Sequence, residues 1–171
     1  MTEPDHRRRQ RLFPTGIRSV QLYRDLRLLD ADRIRCAEAG WQIIAVDGGS
    51  WPDADAMHDA LVDALAFPAY YGRNLDALGD AMADVAEGRY GFDPQAPGGV
   101  LVIHHIDRFL AAQPRVAAAL VEVVTDATSR ALRFGWPLAC FLQSDDPDIH
   151  LEPAPPEPIG WNPQEQLRTN R

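Results

Sequence analysis

Apolar positions along the chain alternate between continuous runs and helically spaced stripes. Residues 41–46 form a nearly continuous apolar run from Trp41 to Val46, read as a buried strand, and Asp47, Gly48 and Gly49 end it in a turn. Pro52 suits the first position of a helix, and Met57, Leu61, Ala64 and Leu65 give that helix an apolar face as far as Phe67. Pro68 stops it, Gly72 allows a turn that a side chain would resist, and Asn74 is a ready N-cap. Behind that cap Leu75, Leu78, Met82 and Val85 recur at helical spacing, to about Glu87. Residues 89–99 form a loop with Pro94 and Pro97, and residues 100–103 are a short run typical of a strand buried on both faces. Residues 107–111 make one helical turn. Pro114 opens a long helix with Val116, Leu120, Val123, Val124 and Ala127 inward, which stops near Gly135. Residues 137–142 are a third strand. Strands separated by helices predict an α/β fold with a parallel sheet and right-handed crossovers.

The two ends are less regular. Residues 1–16, with Arg7, Arg8, Arg9 and Arg11, are expected to be a disordered basic arm. Residues 17–29 show no clean period and admit either a short strand or a helix. Asp30 is a candidate cap for a helix over 31–39, with Ile34, Cys36 and Ala37 inward and Gly40 at its end. Residues 17–40 are therefore read as an added, helical segment packed on the sheet. Residues 145–171 hold six prolines and six acids, a composition expected to give an extended or disordered tail, with Ile159 and Trp161 as apolar anchors.

Length and composition narrow the picture. A chain of 171 residues, 46% hydrophobic, suffices for one domain with a sizeable core. The net charge of −8 argues against a phosphate-binding surface and for basic partners. All 17 basic residues are Arg, a compositional bias without mechanistic weight. Within residues 41–144 six Arg face thirteen acids, so the middle of the chain is its acidic part. Cys36 and Cys140 have no metal-ligand spacing and read as free buried thiols of a reducing compartment. No stretch approaches a membrane span or a signal peptide, so a cytoplasmic protein is expected.

The chemistry concentrates on the helix after Asn74. Asp76, Asp80, Asp84 and Glu87 recur on one face, roughly opposite the apolar stripe at about 100° per residue. Such a stripe is either an ordinary solvated face or a docking surface for something cationic.

The stretch Phe67-Pro68-Ala69-Tyr70-Tyr71-Gly72-Arg73-Asn74-Leu75-Asp76-Ala77-Leu78 resembles the signature of the barstar family, intracellular inhibitors of secreted ribonucleases. In that family the motif runs into an acidic helix that fills the ribonuclease active site. The match covers Pro68, Tyr70, Tyr71, Gly72, Asn74, Leu75, Asp76, Ala77, Leu78 and Asp80 without gaps. The resemblance implies a barstar-like fold over residues 41–144: a three-stranded parallel sheet flanked by helices. It places Asp80 as the central phosphate-mimicking carboxylate, Asp76 as a second one, and Tyr70 against the enzyme's catalytic histidine. Gly72 and Asn74 correspond to loop positions that meet the enzyme, and Asp126 to a further acid from the long helix. Gly79 stands where a tryptophan is common in the best-known member, and Arg73 brings a positive charge into the loop. Tyr71 is assigned to the core, and His58 to the surface or rim.

The implied function is an intracellular inhibitor that blocks the active site of a ribonuclease or related basic nuclease toxin. It would be a monomer when free, without cofactor, metal, membrane or direct nucleic-acid contact. One alternative is a barstar-like regulatory module for another basic protein. Another is a hydrolase using His104, His105 and Asp107, which follow a parallel strand where sites often lie. Adjacent histidines on extended chain face opposite ways, and no nucleophile motif, phosphate loop or cysteine cluster accompanies them, so the chain is read as a non-enzyme.

Overall fold

The computed structural model describes residues 12–151 and 159–165. Residues 1–11 of the basic arm, and 152–158 and 166–171 of the tail, lie outside the described residues. The elements run β1 (Val20–Tyr23), α1 (Leu26–Glu38), β2 (Gln42–Asp47), a 3-10 turn (Gly48–Ser50), α2 (Ala54–Leu65), α3 (Leu75–Ala86), β3 (Gly99–His104), α4 (Ile106–Ala112), α5 (Pro114–Arg133) and β4 (Leu138–Gln143).

The sheet has four strands in the order β1-β4-β3-β2, all pairs parallel. The expected three-stranded sheet is thus corrected to four: β1 pairs with β4, Val20 opposite Cys140. Sequence periodicity hides β1 because Gln21, a polar residue, is fully buried in the middle of it. The expected strands and helices of 41–144 are present, with bounds shifted by one or two residues.

Alternation along the strands builds two cores. Leu101, Ile103, Cys140 and Leu142 face one side, packed with Met57 and Leu61 of α2, Leu78 and Met82 of α3, and Leu120 and Val124 of α5. Val100, Val102, Ala139 and Phe141 face the other side, covered by Leu28, Leu29 and Cys36 of α1. Each large side chain so buried contributes roughly 1.5–3 kcal/mol relative to exposure. Cys36 and Cys140 are free and lie in different cores. Burial pushes the Cys36 thiol up to about 12 and raises that of Cys140 as well.

Helix α1 starts five residues before the expected start, because Asp25, not Asp30, caps it by accepting from the Arg27 N–H. Its inward stripe is Leu28, Leu29, Asp32 and Cys36. Ile34 is 58% exposed and Ala37 is exposed, the reverse of the expectation. Asp32 is 2% exposed and accepts from the Tyr23 hydroxyl at 2.7 Å, the Gln21 amide at 3.3 Å and the Asn162 amide at 2.8 Å, with Arg35 on its other oxygen. That set of donors is what permits a carboxylate inside.

The tail returns to this cluster. The Leu22 N–H donates to the Gly160 carbonyl at 3.0 Å and the Asn162 N–H donates to the Leu22 carbonyl at 2.8 Å. Trp161 thereby pairs in parallel with Leu22 on the outer edge of β1. Glu165 accepts from the N–H groups of Arg24 and Asp25 at 2.8 and 2.7 Å. Residues 159–165 are therefore docked through Ile159 and Trp161, the two apolar anchors of a tail otherwise expected to be extended or disordered.

Candidate functional site

Helix α2 ends at Leu65 because Ala66 turns left-handed at φ +54. The chain then folds back on an aromatic nest. Phe67 is buried and meets the Tyr71 ring at 4.8 Å and the Tyr90 ring at 5.9 Å. Tyr71 is turned inward, its hydroxyl 2.6 Å from Nδ1 of His58. This leaves Tyr70, its neighbour, 83% exposed. The division of the two tyrosines is the one expected from sequence.

His58 differs from expectation. It is 2% exposed, not a surface or rim residue. Burial pushes the Tyr71 hydroxyl up to about 12, so it keeps its proton and donates to Nδ1. Burial, then the nearby Arg73 charge, lowers the His58 pKa. The ring is thus a neutral acceptor at Nδ1, a second anchor for the loop that the sequence did not signal.

The turn conformation expected of Gly72 falls on Arg73 instead, at φ +52. Gly72 sits in a tight space: an added Cβ would lie 3.3 Å from both the Ala77 Cβ and the Asn74 amide nitrogen. Arg73 turns back on α2, paired with the Asp59 carboxylate and donating to the Asp55 carbonyl at 3.3 Å. Asn74 caps α3 as expected, accepting from the Ala77 N–H at 2.8 Å. A cleft of about 360 Å³, lined by Ala54, His58, Arg73, Asn74, Leu75, Asp76 and Val116, opens beside the cap.

The carboxylate stripe on α3 divides in two. Asp84 is paired with Arg89 at 2.8 Å, and Glu87 with Arg89 at 3.0 Å and with Arg130 of α5. The Arg130 guanidinium holds the Glu87 carboxyl below the usual carboxylate range. Asp76 and Asp80 are exposed and carry no ion pair among the described residues. Two free negative charges therefore stand at the first half of the helix, where its N-terminal dipole also favours anions. Gly79, between them on the helix, has no atom within 4 Å of an added Cβ. Asp126 is exposed on α5, which packs along α3, and it too has no ion pair among the described residues.

The His104 and His105 rings lie 6.2 Å apart, but their hydrogen bonds do not join them to Asp107. His105 Nδ1 lies 2.8 Å from Asp47, and the Asp107 carboxylate accepts from the Asp145 N–H at 3.3 Å. Burial, then Arg33, lowers the His104 pKa. Among the described residues no group of three or more His, Cys, Asp or Glu is placed to hold a metal ion. Among them, too, no helix is long and apolar enough to cross a membrane.

Comparison with known proteins finds a family and a curated relative. The family described as Barstar (barnase inhibitor) matches residues 41–143, that is, β2 through β4. A Bacillus subtilis (strain 168) protein named "Putative ribonuclease inhibitor YrdF" is 51% identical over 39 residues. That alignment covers 23% of this chain and 43% of the relative, so the chain matches less than half the length of that protein.

Proposed function

The chain belongs to the barstar family, and from that premise we propose that it is a cytoplasmic inhibitor that plugs the active site of a ribonuclease. The observation that carries this reading is the pair Asp76 and Asp80, exposed and without an ion pair among the described residues, while Asp84 and Glu87 are already paired with arginines. A ribonuclease pocket is cationic, since it cleaves a phosphodiester. Carboxylates held on a rigid helix can sit where phosphates would, and their charge speeds the encounter. In this reading Asp80 takes the centre of the pocket and Asp76 its edge. Tyr70 lies against the enzyme's histidine, Gly72 and Asn74 meet the surface beside it, and Asp126 adds a charge from α5. The relative's name, a ribonuclease inhibitor, agrees with this partner class.

Titration of a ribonuclease with the protein is the test. Activity should fall linearly to zero at equimolar protein. Asp80→Ala should weaken inhibition by about 2–5 kcal/mol, roughly 30- to 4,000-fold in affinity, because it leaves the enzyme's buried cations unpaired. Inhibition untouched by Asp80→Ala but lost in His105→Ala would sink the reading.

A second reading, a regulatory module for another basic protein, is favoured by Gly79. Its bare surface removes a large contact between the two free carboxylates and leaves room for a bulky side chain from the partner. Salt-sensitive capture of a basic protein without ribonuclease activity would select it.

A further inference from the structure

The binding loop contains one cation, Arg73, within a surface that offers negative charge. Its backbone is left-handed, and its guanidinium is directed onto α2 by the Asp59 carboxylate and the Asp55 carbonyl. Asp59 follows His58, so two consecutive residues of α2 hold alternate residues of the loop, Tyr71 and Arg73. Arg73 also borders the cleft that Asn74, Leu75 and Asp76 line. A guanidinium released from Asp59 would be free to swing over that cleft towards Asp76, whose carboxylate carries no ion pair among the described residues.

We propose that Asp59 is a charge-masking and positioning residue: it retains Arg73 on α2, so that a cationic partner meets Asp76 and Asp80 without an opposing charge. This rests on the reading of the surface as a docking site for a basic ribonuclease. Asp59 and Arg73 are both substantially solvent-exposed, so the pair adds little to folding. Its effect lies in where the Arg73 charge is held. A charge moved within the rim of an interface acts on the association rate and on its salt dependence. Asp59→Asn should therefore slow association with the ribonuclease roughly three- to tenfold at low salt. Screening should erase the difference at high salt.

Stopped-flow binding of full-length variants to the inhibited ribonuclease is the experiment. The expected result has four parts. Asp59→Asn associates more slowly at low salt. The deficit vanishes at high salt. Adding Arg73→Ala to Asp59→Asn restores the rate. Asp63→Asn, which removes the same charge from an exposed position of α2 without freeing Arg73, slows association less than Asp59→Asn; equal slowing by the two would mean net charge alone and overturns the proposal. A purely structural role for Asp59 would slow association equally at all salts and would not be rescued by removing Arg73; that pattern overturns the proposal. Limited trypsin digestion supplies an arm that needs no partner: cleavage after Arg73 should be faster in Asp59→Asn than in the wild type, and equal rates overturn the retention. If wild-type protein inhibits a ribonuclease and Asp59→Asn associates at the same rate, only the masking role falls. If wild-type protein inhibits none, the docking reading itself falls and takes the masking role with it.

Discussion

Gly79 and His58 show what single residues decide around the proposed binding surface. Gly79 lies within α3 with open space where its side chain would be. Glycine in a helix interior costs about 0.5–1 kcal/mol relative to alanine. Gly79→Ala should therefore stabilise the protein by about that amount in urea denaturation. His58 sets a pH dependence. Its folded pKa is below its ordinary value near 6.5, so the unfolded chain takes up the proton first. Stability should be full above about pH 6.5 and fall as pH drops through the folded value. Tyr71, Arg73, Asp55 and Asp59 face His58, and His104, facing Arg33, His105, Asp47 and Asp30, adds a shift of the same sign. Denaturation midpoints between about pH 7.5 and about 5 check this, and His58→Asn, whose amide oxygen can accept from Tyr71, should flatten the decline. Sequence spacing presented Asp76, Asp80, Asp84 and Glu87 as equals. Their division depends on Arg89 and on Arg130, which lies on another helix, 43 residues beyond Glu87, and no local period carries that information.

Among the elements, α2, α3, α5 and the strands β2 to β4 were legible because an unbroken apolar stripe or run marks each one. For β1 the choice between strand and helix stayed open, and for α1 the helix was expected but not its first five residues or its inward face; each buries a polar residue, Gln21 or Asp32, where a hydrophobe would have marked the face. Those two polar residues satisfy each other together with Tyr23 and Asn162. Tyr23→Phe should cost about 1–3 kcal/mol, because it leaves a buried carboxylate one donor short. Thermal unfolding measures the loss, and the proposed ribonuclease inhibition should be spared, since the change lies on the face of the sheet opposite α2 and α3.

At the scale of the whole molecule, the residues that match the family form the middle of a longer assembly. The added α1 covers the second face of the sheet, and the tail covers the edge of β1. An exposed edge strand invites pairing with other chains. The combined variant Trp161→Ala and Asn162→Ala should lower stability by about 2–4 kcal/mol and promote concentration-dependent association, read by light scattering, while sparing the Asp76 and Asp80 surface.

The arrangement also fixes a timetable. Of the four strands described, a ribosome makes β1 first, yet its neighbour β4 is made last, and the strap from 159 to 165 emerges later still. Through most of translation β1 therefore waits without a mate, whereas β2 and β3, separated by far less chain, can already join. The nascent polypeptide holds an unsatisfied ribbon until residues 138–165 clear the exit tunnel, and a stall before that point would strand that ribbon in the open.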